Sequence, residues 1–453
     1  MRRPIALVAL AALAGLALTA GLVLTGHTAG HDELFGRISG QVQDWTRGTQ
    51  SRSAEERYVP GRVLVKFKEF IPDWLAEWRI ETYPVLVGFR LPRIKTFILT
   101  LTQDTSVEEA VAALRLNPEV EYAEPDYIAS AQLTPNDPFF SYQYALSNTG
   151  QEIHIPGSPL GKLSADIKAA AAWEETTGDQ KVIVAVLDTG VDLLHPDLKN
   201  KLASSGRDFV NGDFDASDDH GHGTYIAGII GAETDNGLGI AGAAWKCKIL
   251  PVKVLDNTAL GEYSKIAQGI LYAADNGAKV INLSLGYTEH SATLRDAVKY
   301  AFDQGLVLVA GTGNGGGPVE FPAAYDAYCL AAAATDYNDA RPAWSNFGSE
   351  VDVAAPGVSI FSTVPQGFYG PGSVDYGFAS GTSASAAYVS GLAALIISLK
   401  PFLTATQVMD VIRYSADDVN AVAFPGKDEF LGYGRINMEK ALVPLLIKKK
   451  PGE

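Results

Sequence analysis

The stretch Lys181-Val182-Ile183-Val184-Ala185-Val186-Leu187-Asp188-Thr189-Gly190 decides the fold class. Residues 182–187 are apolar without alternation, which is the pattern of a strand buried on both faces. Residues 249–255, 280–285 and 306–310 repeat the theme, and helical stretches lie between the runs at 224–230, 264–276 and 293–304. Strands alternating with helices predict an α/β fold built on a doubly wound parallel sheet. In such a sheet reactive groups collect at the carboxyl ends of the strands, which is where Asp188 stands.

Upstream the pattern differs. Arg62-Val63-Leu64-Val65-Lys66-Phe67 alternates as a half-buried strand, and Thr96-Phe97-Ile98-Leu99-Thr100-Leu101 reads as a second. Residues 106–116 fit a helix with Ser106 at the N-cap and Glu109 three residues on. Val120-Glu121-Tyr122-Ala123-Glu124-Pro125 reads as a third strand ended by its proline. Residues 57–131 are thus expected to form a small α+β domain, with an exposed junction at 128–134. Residues 31–56 read as a polar linker. At the N-terminus Arg2 and Arg3 precede an apolar run over 5–24, with small residues at Ala20 and Thr28-Ala29. Residues 1–30 therefore read as an export signal, or as a retained signal-anchor because the run reaches the ~20 residues that span a bilayer. No later stretch reads as long and apolar enough to span.

The chain has 453 residues, of which 47 % are hydrophobic and 19 % charged, enough for a large core and too apolar for a disordered chain. Lys plus Arg number 36 and Asp plus Glu 52, a formal charge of −16, which speaks against nucleic-acid binding. Two cysteines, Cys247 and Cys329, exclude a disulfide framework and a multi-cysteine zinc site.

Three short islands carry an acid, a base and a hydroxyl. Leu187-Asp188-Thr189-Gly190 follows a strand, Gly221-His222-Gly223-Thr224 opens a helix, and Ser380-Gly381-Thr382-Ser383 opens a long apolar helix. A serine becomes a nucleophile when a histidine takes its proton, and the histidine needs a carboxylate to hold its tautomer and charge. A fourth island, Gly311-Thr312-Gly313-Asn314-Gly315, offers an amide that can donate to a developing oxyanion. Taken alone, Asp188-Thr189-Gly190 is more simply a turn. Gly237-Leu238-Gly239-Ile240-Ala241-Gly242 fits a dinucleotide fingerprint as a string, but it follows a helix and precedes a strand, the reverse of what that fingerprint needs.

In this order the islands resemble the subtilase family of serine endopeptidases, and its thermitase branch in particular, from about residue 135 to 442. Ile281-Asn282-Leu283-Ser284-Leu285-Gly286, Asp352-Val353-Ala354-Ala355-Pro356-Gly357 and Gly432-Tyr433-Gly434-Arg435-Ile436-Asn437 match the family as well. Residues 58–127 resemble its inhibitor-type propeptide, so residues 132–453 are expected to be the peptidase domain. The resemblance implies that Ser383 attacks, His222 is the base, Asp188 orients it, and Asn314 with the Ser383 N–H holds the oxyanion. It implies that Ser284, Leu285 and Gly286 on one side and Leu260 and Gly261 on the other pair with an extended polypeptide substrate. Phe321-Pro322 matches the motif near the specificity pocket, where a cis proline is expected. It implies structural Ca²⁺ at Asp137, Asp197 and Asn236 with the carbonyls of Glu233, Leu238 and Ile240. A second site falls at Asp208, Asn211, Asp213 and Asp215, which alone read as a solvated acidic loop. Its further implications are self-processing, inhibition by the chain's own propeptide and a secreted location. The chain departs from the family at Tyr225, where a second histidine is common, and at Ala384-Ser385-Ala386-Ala387-Tyr388 behind the nucleophile.

Two rivals compete. A non-catalytic scaffold on this fold would have lost a triad member, and none is lost. An α/β-hydrolase esterase needs Gly-x-Ser-x-Gly with its histidine last, whereas His222 precedes Ser383.

Overall fold

The computed structural model describes residues 58–442, apart from 81–82, 84, 103–104, 128–132, 154–157, 204–205 and 371–374. The apolar run at 5–24, the linker 31–56 and the junction at 128–132 lie outside the described residues.

The first domain contains β1 (Tyr58–Phe67), α1 (Asp73–Ile80), β2 (Val85–Leu91), β3 (Thr96–Leu101), α2 (Val107–Arg115) and β4 (Val120–Tyr127). Its antiparallel sheet has the order β2-β3-β1-β4. Alternation along β1 and β3 places Val63, Val65, Phe97 and Leu99 in a core shared with Leu114 of α2 and Ala123 of β4. The expected capping box is present: Glu109 N donates to Ser106 Oγ at 3.2 Å and Ser106 N to Glu109 Oε2 at 3.1 Å. Pro125 does not end β4, which continues to Tyr127 with Pro125 opposite Val63. A proline is tolerated there because β4 is an edge strand. The sequence reading did not foresee α1 and β2. In α1, Trp74 and Trp78 are exposed, so the helix carries no clean apolar stripe to read.

The second domain is built on seven parallel strands: β5 (Ile183–Asp188), β6 (Arg207–Asp208), β7 (Lys248–Lys253), β8 (Val280–Leu283), β9 (Val307–Gly311), β10 (Cys329–Thr335) and β11 (Val353–Pro356). Their order is β11-β10-β9-β8-β5-β7-β6. Each of the four expected strands is present, shifted by one or two residues at its ends. From β5 the chain moves to one side for β6 and β7, then to the other for β8 to β11. The carboxyl end of β5 is therefore the switch point where a crevice opens. Helices α3 (His222–Gly231), α4 (Tyr263–Asp275), α5 (Ala292–Asp303), α6 (Thr382–Leu399) and α7 (Ala405–Ser415) accompany the sheet. An antiparallel pair, β12 (Ile360–Thr363) and β13 (Tyr376–Ala379), leads into α6. Two apolar cores result: one holds Val184, Val186, Ile226 and Leu392, the other Ala185, Leu187, Ile270 and Val298.

By length and composition α6 could cross a membrane, contrary to the sequence expectation that no later stretch would. It is a core helix, with residues 384–396 all buried. Cys247 and Cys329 are buried free thiols, and burial raises the pKa of both.

Candidate active site

Asp188 ends β5 and is fully buried. His222 opens α3, and its Nδ1 lies 2.7 Å from Asp188 Oδ1. That oxygen also accepts from Thr189 N at 2.8 Å, while Oδ2 is buried with no hydrogen-bond partner among the described residues. Burial alone disfavours the imidazolium form of His222, but the charge and hydrogen bond of Asp188 outweigh it, helped by the charge of Asp218. The pKa of His222 is therefore raised above 6.5.

Several residues that the sequence reading passed over hold this pair. Asp218 gathers the start of α3: its Oδ1 accepts from His220 N and Gly221 N, and its Oδ2 from Thr224 N and Thr224 Oγ1 at 2.6 Å. These bonds overcome burial and lower the Asp218 pKa. Thr189 Oγ1 donates to Asp218 Oδ1 and accepts from Gly223 N, tying the end of β5 to α3. Gly223 is required here, because a Cβ would overlap the Gly190 carbonyl oxygen. Lys253 ends β7 opposite Asp188. Its buried Nζ donates to Thr189 O and Asp219 Oδ1, both at 2.6 Å, and to Leu255 O at 3.1 Å. Asp219 is thus the partner of Lys253. The signal for these residues was a polar side chain at each strand or helix end.

Ser383 is the second residue of α6. Its Oγ donates to Ser284 O at 3.4 Å and makes no hydrogen bond to His222 in this geometry. The chain Ser390 Oγ to Asn282 Oδ1, Asn282 Nδ2 to Ser284 Oγ, and Ser284 Oγ to Ser383 O locks α6 onto the end of β8. Asn314 follows β9, and its Oδ1 accepts from Thr382 N at 2.9 Å and Thr382 Oγ1 at 3.1 Å. With its oxygen anchored, the amide has its Nδ2 donors left for another acceptor. A Cβ built on Gly381 would stand 3.6 Å from Asn314 Nδ2 and 3.8 Å from Ser383 N. Both donors therefore border one small space, kept open by that glycine.

The segments expected to pair with substrate lie at two surface positions. Beyond β8, Gly286 is exposed, and the next residue, Tyr287, exchanges two 2.9 Å backbone hydrogen bonds with Phe321. The Phe321-Pro322 peptide is cis. Leu260 is exposed at a turn closed by Asp256 N donating to Leu260 O at 2.8 Å.

For calcium, the donors divide into two unlike groups. Asp137 and Asp197 are both buried, and burial pushes the Asp137 carboxyl up to about 7 and also raises Asp197. Asp197 accepts from Asn236 Nδ2, Ile240 N and Tyr376 Oη, and Asp137 from Asp235 N and Asn236 N. Glu233 N donates to Asp197 O, which brings the 233–240 loop to the same place. Two buried carboxylates that share the 233–240 loop would be compensated by a hard cation. Asn236 presents its NH₂ to Asp197, so a turn of its amide would offer the oxygen. Asp208, Asn211, Asp213 and Asp215 instead form successive Asx turns. Asp208 accepts from Val210 N, Asn211 N and Asn211 Nδ2, Asp213 from Asp215 N, and Asp215 from Ser217. Among the described residues no three His, Cys, Asp or Glu side chains form a metal-binding group.

The fold is a parallel α/β sheet in which Asp188 ends β5, His222 opens α3 and Ser383 lies in the first turn of α6. The profile of the subtilase family (Peptidase S8) matches residues 179–434, and that of the fervidolysin N-terminal prodomain matches residues 46–126. The chain belongs to the subtilase family and is a serine protease with an N-terminal prodomain. It is 40 % identical over 390 residues to a thermophilic serine proteinase of Bacillus sp. (strain AK1), covering 85 % of this chain and 88 % of that one. It is 40 % identical over 310 residues to thermitase of Thermoactinomyces vulgaris, covering 68 % and 99 %. A solved protease structure from Pseudoalteromonas arctica PAMC 21717 superposes with a TM-score of 0.60 at 30 % identity, covering 68 % of this chain and 99 % of that one.

Proposed function

We propose that this chain is an exported, self-processing endopeptidase. Residues 1–30 direct export, 31–56 link, 57–131 form the inhibitory propeptide, and 132–453 are the peptidase domain. Ser383 Oγ attacks the scissile carbonyl carbon as its proton passes to His222 Nε2. Asp188 holds the imidazole through Nδ1 and stabilises its positive charge. The developing oxyanion takes hydrogen bonds from Asn314 Nδ2 and Ser383 N. Collapse of the tetrahedral intermediate returns the proton from His222 to the leaving amine, and water repeats the sequence on the acyl-enzyme. The substrate lies extended along Ser284–Gly286 and Leu260–Gly261 through main-chain hydrogen bonds. The observation that carries this reading is the 2.7 Å Asp188–His222 contact, with an anchored Asn314 beside the start of α6.

In the reacting geometry Ser383 Oγ would leave its present acceptor, the Ser284 carbonyl, for His222. Hydrogen bonds of this kind tighten when substrate fills the site. The propeptide inhibits by laying its last strand and the junction through the cleft, and cleavage between Tyr127 and Thr134 releases the mature enzyme. Structural Ca²⁺ is held by Asp137, Asp197 and Asn236, where it would compensate the two buried carboxylates. The location is extracellular, with retention at the membrane if the N-terminal segment stays uncleaved.

Purified Ser383→Ala is expected to remain full length and to hydrolyse no peptide, whereas wild type matures and labels with a fluorophosphonate probe. Normal maturation of Ser383→Ala without added protease would refute self-processing. A processed wild-type protein whose Ser383 resists the probe would favour the scaffold reading.

A further inference from the structure

The wall beside the oxyanion space carries a carboxylate that the mechanism does not use. Glu320 immediately precedes the cis Phe321-Pro322 peptide, and its backbone N donates to Thr312 O at 3.0 Å. Its side chain lies between two glycines of the cleft. A Cβ at Gly313, next to Asn314, would stand 2.7 Å from Glu320 Cδ and 2.9 Å from Oε1. A Cβ at Gly286, at the end of the substrate edge, would overlap Glu320 Oε2. Two absent side chains thus make room for this one. Its one recorded side-chain partner is Asn346 Nδ2, 3.4 Å from Oε1, and no lysine, arginine or histidine among the described residues pairs with it.

We infer that Glu320 selects a lysine or arginine at the residue that donates the scissile carbonyl. The inference rests on the proposed hydrolysis at Ser383. For attack, that carbonyl carbon must lie beside Ser383 Oγ with its oxygen toward Asn314 Nδ2 and Ser383 N. The residue carrying it then sits between the Gly313-Asn314 segment and the Ser284–Gly286 edge. Its side chain enters the gap those segments flank, where the Glu320 carboxylate stands. An ammonium or guanidinium supplies the charge-assisted donors that Glu320 lacks. An acidic side chain meets like-charge repulsion, which sharpens the discrimination. The −16 charge of the whole chain favours cationic substrates in the same sense. The junction at 128–134 contains no lysine or arginine. Its cleavage within one chain therefore draws on proximity rather than on Glu320.

The test compares the matured enzyme on peptides identical except for arginine, lysine, glutamine, phenylalanine or glutamate before the scissile bond. Arginine and lysine peptides are expected to exceed the glutamine peptide in kcat/KM by roughly 10–100-fold, the worth of one charge-assisted hydrogen bond, with glutamate lowest. Glu320→Gln should lower the arginine-to-glutamine ratio by about tenfold or more, and added salt should shrink the wild-type ratio. A ratio is unaffected by a general loss of activity, so a purely structural role for Glu320 would leave it unchanged. Should Glu320→Gln fail to fold, benzamidine provides a measure on wild type, expected to compete with substrate where neutral benzamide does not. Cleavage without a basic preference, or a preference kept by Glu320→Gln, overturns the inference and leaves the hydrolase intact. No cleavage of any peptide, with Ser383 unreactive to fluorophosphonate, overturns both.

Discussion

At the residue scale the governing pair is Asp188 and His222. In the proposed mechanism His222 must be neutral to take a proton, and Asp188 raises its pKa above 6.5, so activity is expected to fall as pH drops through that raised value. The expected kcat/KM profile on a peptide therefore rises with pH through a midpoint above 6.5. Asp188→Asn should move that midpoint down and lower kcat by about 10⁴; a midpoint that stays put would show that Asp188 does not set it. The same shift makes the pair a source of stability below pH 6.5 that is lost as pH rises through the folded-state value. Asn314→Ala should lower kcat by about 10²–10³ with KM nearly constant, because the amide serves the transition state. An equal rise in KM would instead mark Asn314 as a substrate-binding group. Each of these residues stood out as a candidate in the sequence, because each stands at a strand or helix end in a short run of small residues. The placement of Glu320 was not legible. Nothing in Pro318-Val319-Glu320-Phe321 says that Gly286 and Gly313 flank it in space.

At the scale of elements, the position of α3 relative to β5 decides whether His222 meets Asp188. Asp218 holds the first turn through three backbone N–H groups and the Thr224 hydroxyl, and Thr189 joins it to the strand. Asp218→Ala leaves those donors without their acceptor and should cost about 1–3 kcal/mol of stability. Thermal unfolding would report a lower Tm, and kcat should fall more than stability alone explains because the histidine is no longer held. An unchanged pH midpoint and kcat would reduce Asp218 to an ordinary helix cap. Asp218 carried no signal in the sequence, because its joining of Thr189 on the strand to Thr224 on the helix exists only in the fold. The elements α1 and β2 were hidden because their aromatic residues Trp74, Trp78 and Phe89 face outward and blur the apolar pattern. The cap of α2 was readable because the Ser106–Glu109 box is local and self-contained.

At the scale of the whole molecule, stability rests on the apolar core of the first domain, the two cores of the second, and the compensation of buried charge, since both cysteines are free. If Ca²⁺ occupies the Asp137–Asp197 site, chelation with EGTA should lower Tm, and Asp197→Asn should abolish the calcium-dependent increment. An ion at a hundredfold excess over its Kd adds about 2.7 kcal/mol. A Tm insensitive to EGTA and to added calcium would dismiss a stabilising metal. The sequence by itself determined the parallel α/β class, the order of the islands and the family, because apolar runs and strand-end motifs are local patterns. It did not determine that Asn314 is anchored by Thr382, that Lys253 sits buried beside the Asp188 loop, or that Glu320 fills the space left by two glycines. Those pairings join residues as far as 68 positions apart. Only the closing of the sheet and the packing of α3 and α6 against it bring them within hydrogen-bond reach.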